Sequence, residues 1–165
     1  DFPGRSFYRN TGATERYGFE LAANFSWNTW QLQTSFTQAS YRFSGLDDVS
    51  DSLKDKNLPG IPSTQMFMQL EYSTPSSWQF QLTAEHIGRL FANNQNTVAV
   101  NAYQKVRLQT SKGIALSWGE LSFFGGVNNL FDVRYYDNIR LNAFGSRHFE
   151  PAPGRNLFGG LSIAF

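Results

Sequence analysis

From Tyr17 to Trp27 the chain alternates: Phe19, Leu21, Ala23, Phe25 and Trp27 fall on one side of an extended backbone, and Gly18, Glu20, Ala22, Asn24 and Ser26 on the other. After Asn28-Thr29 the alternation resumes, with Trp30, Leu32 and Phe36 against Gln31, Gln33, Ser35 and Thr37. Two residues between two such runs is hairpin spacing. A second pair follows, QMFMQLEY and WQFQLTAEHIGR, separated by Pro75-Ser76-Ser77, and it sets Trp78, Phe80, Leu82 and Ala84 against Gln79, Gln81, Thr83 and Glu85. From Val98 the pattern is weaker, with Val98, Val100, Ala102, Val106 and Leu108 opposite Tyr103, Lys105, Arg107 and Gln109. A turn between Gly113 and Gly119 leads into Leu121, Phe123, Gly125 and Val127, and a last run places Leu157, Leu161, Ile163 and Phe165 together. The reading is all-β, an antiparallel meander of about seven to eight strands with no competing helical period.

The connections alternate in length: short at Asn28-Thr29, long from Gly45 to Gly60, short at Pro75 to Ser77, then intermediate, short and long. Unequal ends of this kind belong to outer-membrane barrels, which have short periplasmic turns and long extracellular loops. Trp27, Trp30, Trp78 and Trp118 all flank short turns, where an indole sits well at lipid headgroups. Tyr41, Phe43, Phe91, Tyr135 and Tyr136 stand at the opposite strand ends and are expected to form the other girdle. The Gln-, Thr- and Glu-rich face is too polar for a packed interior, so the apolar face is expected to meet lipid and the polar face a wet lumen.

Composition supports this. Rings make up 16% of the 165 residues while mean hydropathy is only −0.40, which requires apolar and polar residues to be finely interleaved. No window offers the roughly 18 consecutive apolar residues of a membrane helix, a fact without bearing on strands that cross with alternate greasy positions. The absence of Cys excludes a disulfide framework and a thiolate metal site. A net charge of +1 with scattered Lys and Arg leaves no footprint for nucleic acid.

Catalytic signatures are sparse. His86 lies within a strand and His148 in the last loop, and neither HExxH nor GxSxG occurs. The competing enzyme class is a small outer-membrane acyltransferase or esterase. Asp47, Asp48 and Asp51 lack regular cation-loop spacing and read as solvated charge. In the last long loop, Arg134, Tyr135, Tyr136, Arg140, Arg147 and His148 form a set suited to an anionic, aromatic ligand or, equally, to contact with lipopolysaccharide phosphates or with other loops. No cofactor is called for.

Two C-terminal motifs carry a family resemblance. Asn128-Asn129-Leu130-Phe131-Asp132 resembles the NNLFD run of TonB-dependent outer-membrane receptors, and Pro151-Ala152-Pro153-Gly154-Arg155 with terminal Phe165 resembles their closing strand. Tyr8-Arg9-Asn10 with Gly18-Phe19-Glu20-Leu21, and Leu58-Pro59-Gly60-Ile61-Pro62, are similar to upstream stretches of the same family in the same order. The resemblance implies a transmembrane β-barrel of about 22 strands around a plug. Residues 1–165 would then be its C-terminal part, with the plug and the N-terminal strands lying outside this sequence. It implies energy-dependent uptake of a scarce nutrient, a ferric siderophore or similar metal chelate or cofactor, and no enzymatic activity. The implied partners are outer-membrane lipid and lipopolysaccharide, the barrel-assembly machinery through Gly160, Ile163 and Phe165, and the TonB complex through the plug. The alternative is a self-contained small barrel with a structural or lipid-modifying role.

Overall fold

The computed structural model describes residues 13–44 and 51–165. Alternation becomes strand as expected, in β1 (Ala13–Trp27), β2 (Trp30–Ser44), β3 (Thr64–Ser73) and β4 (Trp78–Ile87). A small hairpin of β5 (Leu90–Phe91) and β6 (Ala99–Val100) precedes β7 (Tyr103–Leu116) and β8 (Gly119–Asn128). A second, β9 (Tyr136–Ile139) and β10 (Phe149–Pro151), precedes β11 (Asn156–Ala164). The seven long strands form one antiparallel sheet in the order β1-β2-β3-β4-β7-β8-β11. It is an open meander, and among the described residues β1 and β11 are each paired on one side only.

Two boundaries differ from the sequence pattern. The weak alternation from Val98 spans a break, because Ala99–Val100 belong to the loop hairpin and the wall strand begins at Tyr103. The turn after it is Ser117-Trp118, while Gly113 lies within β7.

Register joins the apolar positions into rows. Phe25, Leu32, Leu70, Leu82, Leu108, Val127 and Leu157 are successive cross-strand partners, so one row of large aliphatic and aromatic side chains crosses all seven strands. The row below it, Trp27, Trp30, Tyr72, Phe80, Thr110, Gly125 and Gly159, starts beside the first short turn. The wall does not end at this row on the far side: the chain runs six residues further, through the end of β11 to Phe165, over the same six strand steps. An offset of one residue, about 3.4 Å, per strand spacing of about 4.8 Å tilts the strands by about 35°, as a closed membrane barrel requires.

The short-turn end carries the expected aromatic belt. Trp30 meets Tyr72 at 4.4 Å between ring centroids, Trp78 lies 6.1 Å from Phe80, and Trp118 lies 5.7 Å from Phe165. The opposite girdle is not formed by the five residues expected. Phe43 is buried beneath the loops, and Tyr41 shares the polar side of β2. Phe91 is in the loop hairpin, Tyr135 stacks on Tyr103, and Tyr136 stacks on Phe149. Loops crowd this end of the sheet and draw aromatic rings into their own packing, which strand periodicity does not register.

Among the described residues, the buried apolar ones are Phe43, Leu90, Ala92 and Val100, all at the loop end. A sheet whose faces meet lipid and water has no core of its own. The loops need one, because they fold outside the membrane.

Candidate functional site: the lumen-facing groove

On the polar face, near the loop end, the sheet and the last loop enclose an open groove of about 530 Å³. Its floor comes from β3, β4 and β7, which contribute Gln69, Thr83, Glu85, Lys105 and Arg107. Strand alternation aims these side chains inward, and register places Glu85 opposite Lys105 and Thr83 opposite Arg107. Lys105 Nζ lies 3.1 Å from Glu85 Oε2. The roof is Tyr135, whose ring stacks on Tyr103 at 4.9 Å and lies 5.7 Å from Lys105 Nζ. Arg107 donates to Gln109 Oε1 at 2.6 Å, and its guanidinium covers the ring of Phe158 at 4.8 Å. Deeper on the same face, Gln69 and Gln81 both donate to Glu71 Oε1, at 2.8 and 2.9 Å. The groove is thus lined by two cations, Lys105 and Arg107, two carboxylates, Glu85 and Asp137, and the phenol of Tyr135, groups able to make charge-assisted hydrogen bonds and stacking contacts.

The last loop is held over the groove by a clasp. Asn129, with φ 50° and only 6% exposed, uses its side-chain amide both ways: Nδ2 donates to Val133 O and Oδ1 accepts from Val133 N, each at 2.9 Å. Asp132 Oδ1 accepts from Arg155 N at 2.8 Å. A Cβ at Gly154 would come within 2.8 Å of that carboxylate oxygen, so glycine makes the approach possible. Asn128 Nδ2 donates to Asn156 Oδ1 at 2.9 Å. The NNLFD and PxPGR motifs, separate in the sequence, are two halves of one junction between β8 and β11.

Of the six loop residues expected to contact ligand, Tyr135 is the one that lines the groove. Arg134 and Arg147 are exposed. Tyr136 stacks on Phe149 at 4.4 Å within the β9–β10 hairpin. Arg140 is ion-paired with Glu150, its Nε donating at 2.8 Å. His148 is 5% exposed, with Nδ1 3.1 Å from Arg140 O. Asn138 and Arg140 hold the Glu150 carboxyl below the usual carboxylate range. The sequence reading passed over Glu85, Tyr103, Lys105 and Arg107 as ordinary polar-face residues. For Glu85 and Lys105 the signal is that opposite charges on neighbouring strands share a register, which requires knowing that β4 pairs with β7 across the intervening hairpin.

At the other end of the last strand, Ile163 and Phe165 lie on the apolar face, Phe165 being 97% exposed. Gly160 lies on the polar face, where a Cβ would meet Phe124 Cζ at 2.6 Å. Asp47 and Asp48 lie outside the described residues.

The family described as TonB-dependent receptor-like β-barrel matches residues 1–130. Among solved structures, the chain is similar to the ferric citrate transporter FecA in its unliganded form (TM-score 0.79, 17% identity, 92% of this chain and 24% of that one). It is also similar to the ferric yersiniabactin uptake receptor FyuA from Yersinia pestis (0.76, 18%, 94% and 24%). BauA, the ferric preacinetobactin receptor from Acinetobacter baumannii, matches likewise (0.75, 15%, 92% and 22%). The chain spans about a quarter or less of the length of these proteins.

Proposed function

Given that the chain belongs to the TonB-dependent receptor β-barrel family of the Gram-negative outer membrane, we propose that it forms the C-terminal wall and extracellular loops of a receptor. That receptor takes up a ferric siderophore or a similar metal chelate, with energy relayed by the TonB complex to a plug elsewhere in the same protein. The observation that carries this reading is the groove beneath Tyr135, where Lys105 and Arg107 face the lumen beside stacked Tyr103 and Tyr135. Membership in a receptor family displaces the enzymatic alternative. The solved structures named above are uptake receptors for ferric ligands, which favours that ligand class here.

The exposed Arg134 and Arg147 stand outside the groove and are proposed as first contacts for the incoming anion. The experiment is uptake of a panel of radiolabelled ferric chelates by cells carrying the full-length receptor, with and without collapse of the inner-membrane proton gradient. One chelate should be taken up only when the gradient is intact, and Arg107→Gln should weaken its binding about tenfold, the scale of one charge-assisted hydrogen bond. Uptake of every chelate unchanged by Lys105→Gln and Arg107→Gln would exclude the groove. A mature native protein of 18.7 kDa, rather than several times that, would overturn the larger receptor and restore the self-contained barrel.

A further inference from the structure

The lining of the groove beneath Tyr135 carries opposite charges in balance. Lys105 and Arg107 supply the positive ones, Glu85 and Asp137 the negative. Strand alternation and register put Gln69, Thr83, Glu85, Lys105, Arg107 and Asn156 on one face of the sheet, so all of them look into the same lumen.

Both cations are already engaged, but not in the same way. Lys105 Nζ is 3.1 Å from Glu85 Oε2, and the two side chains are only 33% and 34% exposed. Arg107 is held by neutral groups, the Gln109 carbonyl and the Phe158 ring. Asp137 is exposed on β9 and belongs to neither of the two ion pairs among the described residues. An arriving ligand therefore meets one cation without a carboxylate, Arg107, and one carboxylate without a cation, Asp137.

Most of the remaining polar lining is neutral and forms hydrogen bonds. Gln69, Gln81, Thr83, Asn128 and Asn156 all border the space, and each side chain carries both a donor and an acceptor. Gln69 and Gln81 each commit one N–H to Glu71, which leaves their carbonyl oxygens and second N–H groups for a ligand. A wall of this kind suits carbonyl and amide groups better than concentrated charge.

We infer that Glu85 and Asp137 make the groove a charge filter, and that its ligand is a ferric chelate of little net charge with at most one anionic arm. The inference rests on the uptake reading given above and narrows its ligand class. The arm would pair with the Arg107 guanidinium, while carbonyl and N–H groups around the iron would bond the amide side chains. A ferric tris-hydroxamate has no net charge and meets these conditions. A ferric tris-catecholate is trianionic and would bring like charge against Glu85 and Asp137. Lys105 could answer it only by leaving Glu85, which would strand that carboxylate in a partly desolvated place. Repulsion of the wrong ligand is as much a source of specificity as attraction of the right one.

The test is the affinity of the full-length receptor for two hexadentate ferric chelates, a neutral trihydroxamate and a trianionic tricatecholate, in the wild type, Glu85→Gln and Asp137→Asn. The quantity read is the ratio of the two affinities, in which a general loss of folding or fit cancels. The wild type should favour the trihydroxamate by at least about tenfold, a modest value for like charges brought together. Each substitution should move the ratio toward the tricatecholate by about tenfold on the same grounds. Asp137 is exposed in the β9–β10 hairpin, so asparagine there tests the filter without touching the wall. A wild-type preference for the tricatecholate would overturn the filter, as would a ratio that either substitution leaves unmoved. Binding of neither chelate would overturn it too, whereas the uptake reading falls only if the radiolabelled panel shows no gradient-dependent uptake.

Discussion

Asn129 concentrates more hydrogen bonding than its neighbours in the NNLFD run. It is nearly fully buried, and its amide satisfies both the N–H and the C=O of Val133 while the backbone holds a left-handed conformation. Asn is among the few residues that tolerate that conformation and can also bond their own chain a few residues on. Asn129→Ala leaves a half-buried donor and acceptor of Val133 without their partner and is expected to destabilise the β8–β11 junction by about 1–3 kcal/mol, the low end of the cost per unpaired group because water reaches both. Thermal unfolding of the full-length receptor, with exchange of the Val133 amide, measures it. Glu150 makes a pH-dependent counterpart in the β9–β10 hairpin. Its hydrogen bonds to Asn138 and Arg140 lower its pKa from the model-compound value of 4.5. A depressed carboxylate contributes stability above its unfolded pKa and loses it as pH falls through the lower folded value. Amide exchange in the hairpin should therefore rise as pH drops below about 4.5, beyond the intrinsic trend, and Glu150→Gln should abolish that excess.

At the scale of the strand, face matters more than identity. Leu82 and Gln81 are adjacent in β4, yet one lies in the aliphatic row and the other near Glu71 on the lumen side. Leu82 is four residues from the Trp78 girdle on a tilted strand, close to the middle of the apolar band. Leu82→Arg should cost about 2–4 kcal/mol of folding free energy in bilayers, while Gln81→Arg, in contact with water and near a carboxylate, should cost under about 1 kcal/mol. Chemical unfolding in lipid vesicles separates the two. This contrast was legible in the sequence because strand alternation has a period of two and needs only neighbouring residues. Both faces of all seven long strands follow from it, and so does the Trp belt, since each Trp adjoins a turn marked by Asn, Pro or Ser. The pairing of β4 with β7 was less accessible, because β5 and β6 intervene and Val98 to Ala102 continue the apolar alternation through a loop. Glu85 and Lys105 consequently looked like separate polar positions.

Across the whole molecule, the loops behave as one assembly where the sequence suggests three independent connections. Asn57 and Asn96 exchange hydrogen bonds, Asn57 N donating to Asn96 Oδ1 at 2.7 Å and Asn96 Nδ2 to Asn57 O at 2.9 Å. Asn142 Oδ1 accepts from Asn94 N at 2.9 Å, and Asn142 N donates to Ala92 O at the same distance. Gly60, at φ 79°, packs so closely on Leu141 that a Cβ would lie 2.9 Å from its Cδ2, and Gly60 N donates to Phe91 O at 2.7 Å. The β5–β6 hairpin is thereby the hub joining the loop before β3 to the loop before β11. These partners are 39 and 48 residues apart, and Asn in a loop reads as local turn chemistry, so no periodic signal announces the docking. Removing one link should loosen elements that the substitution does not touch, because packed segments with a shared core open cooperatively. Asn142→Ala is expected to raise hydrogen exchange at Ala92 and Asn94, and also at Gly60, while leaving the amides of β1 to β4 at their wild-type rates. If the increase were confined to the loop bearing Asn142, the three loops would be independent, and the Tyr135 roof over the groove would owe nothing to the other two.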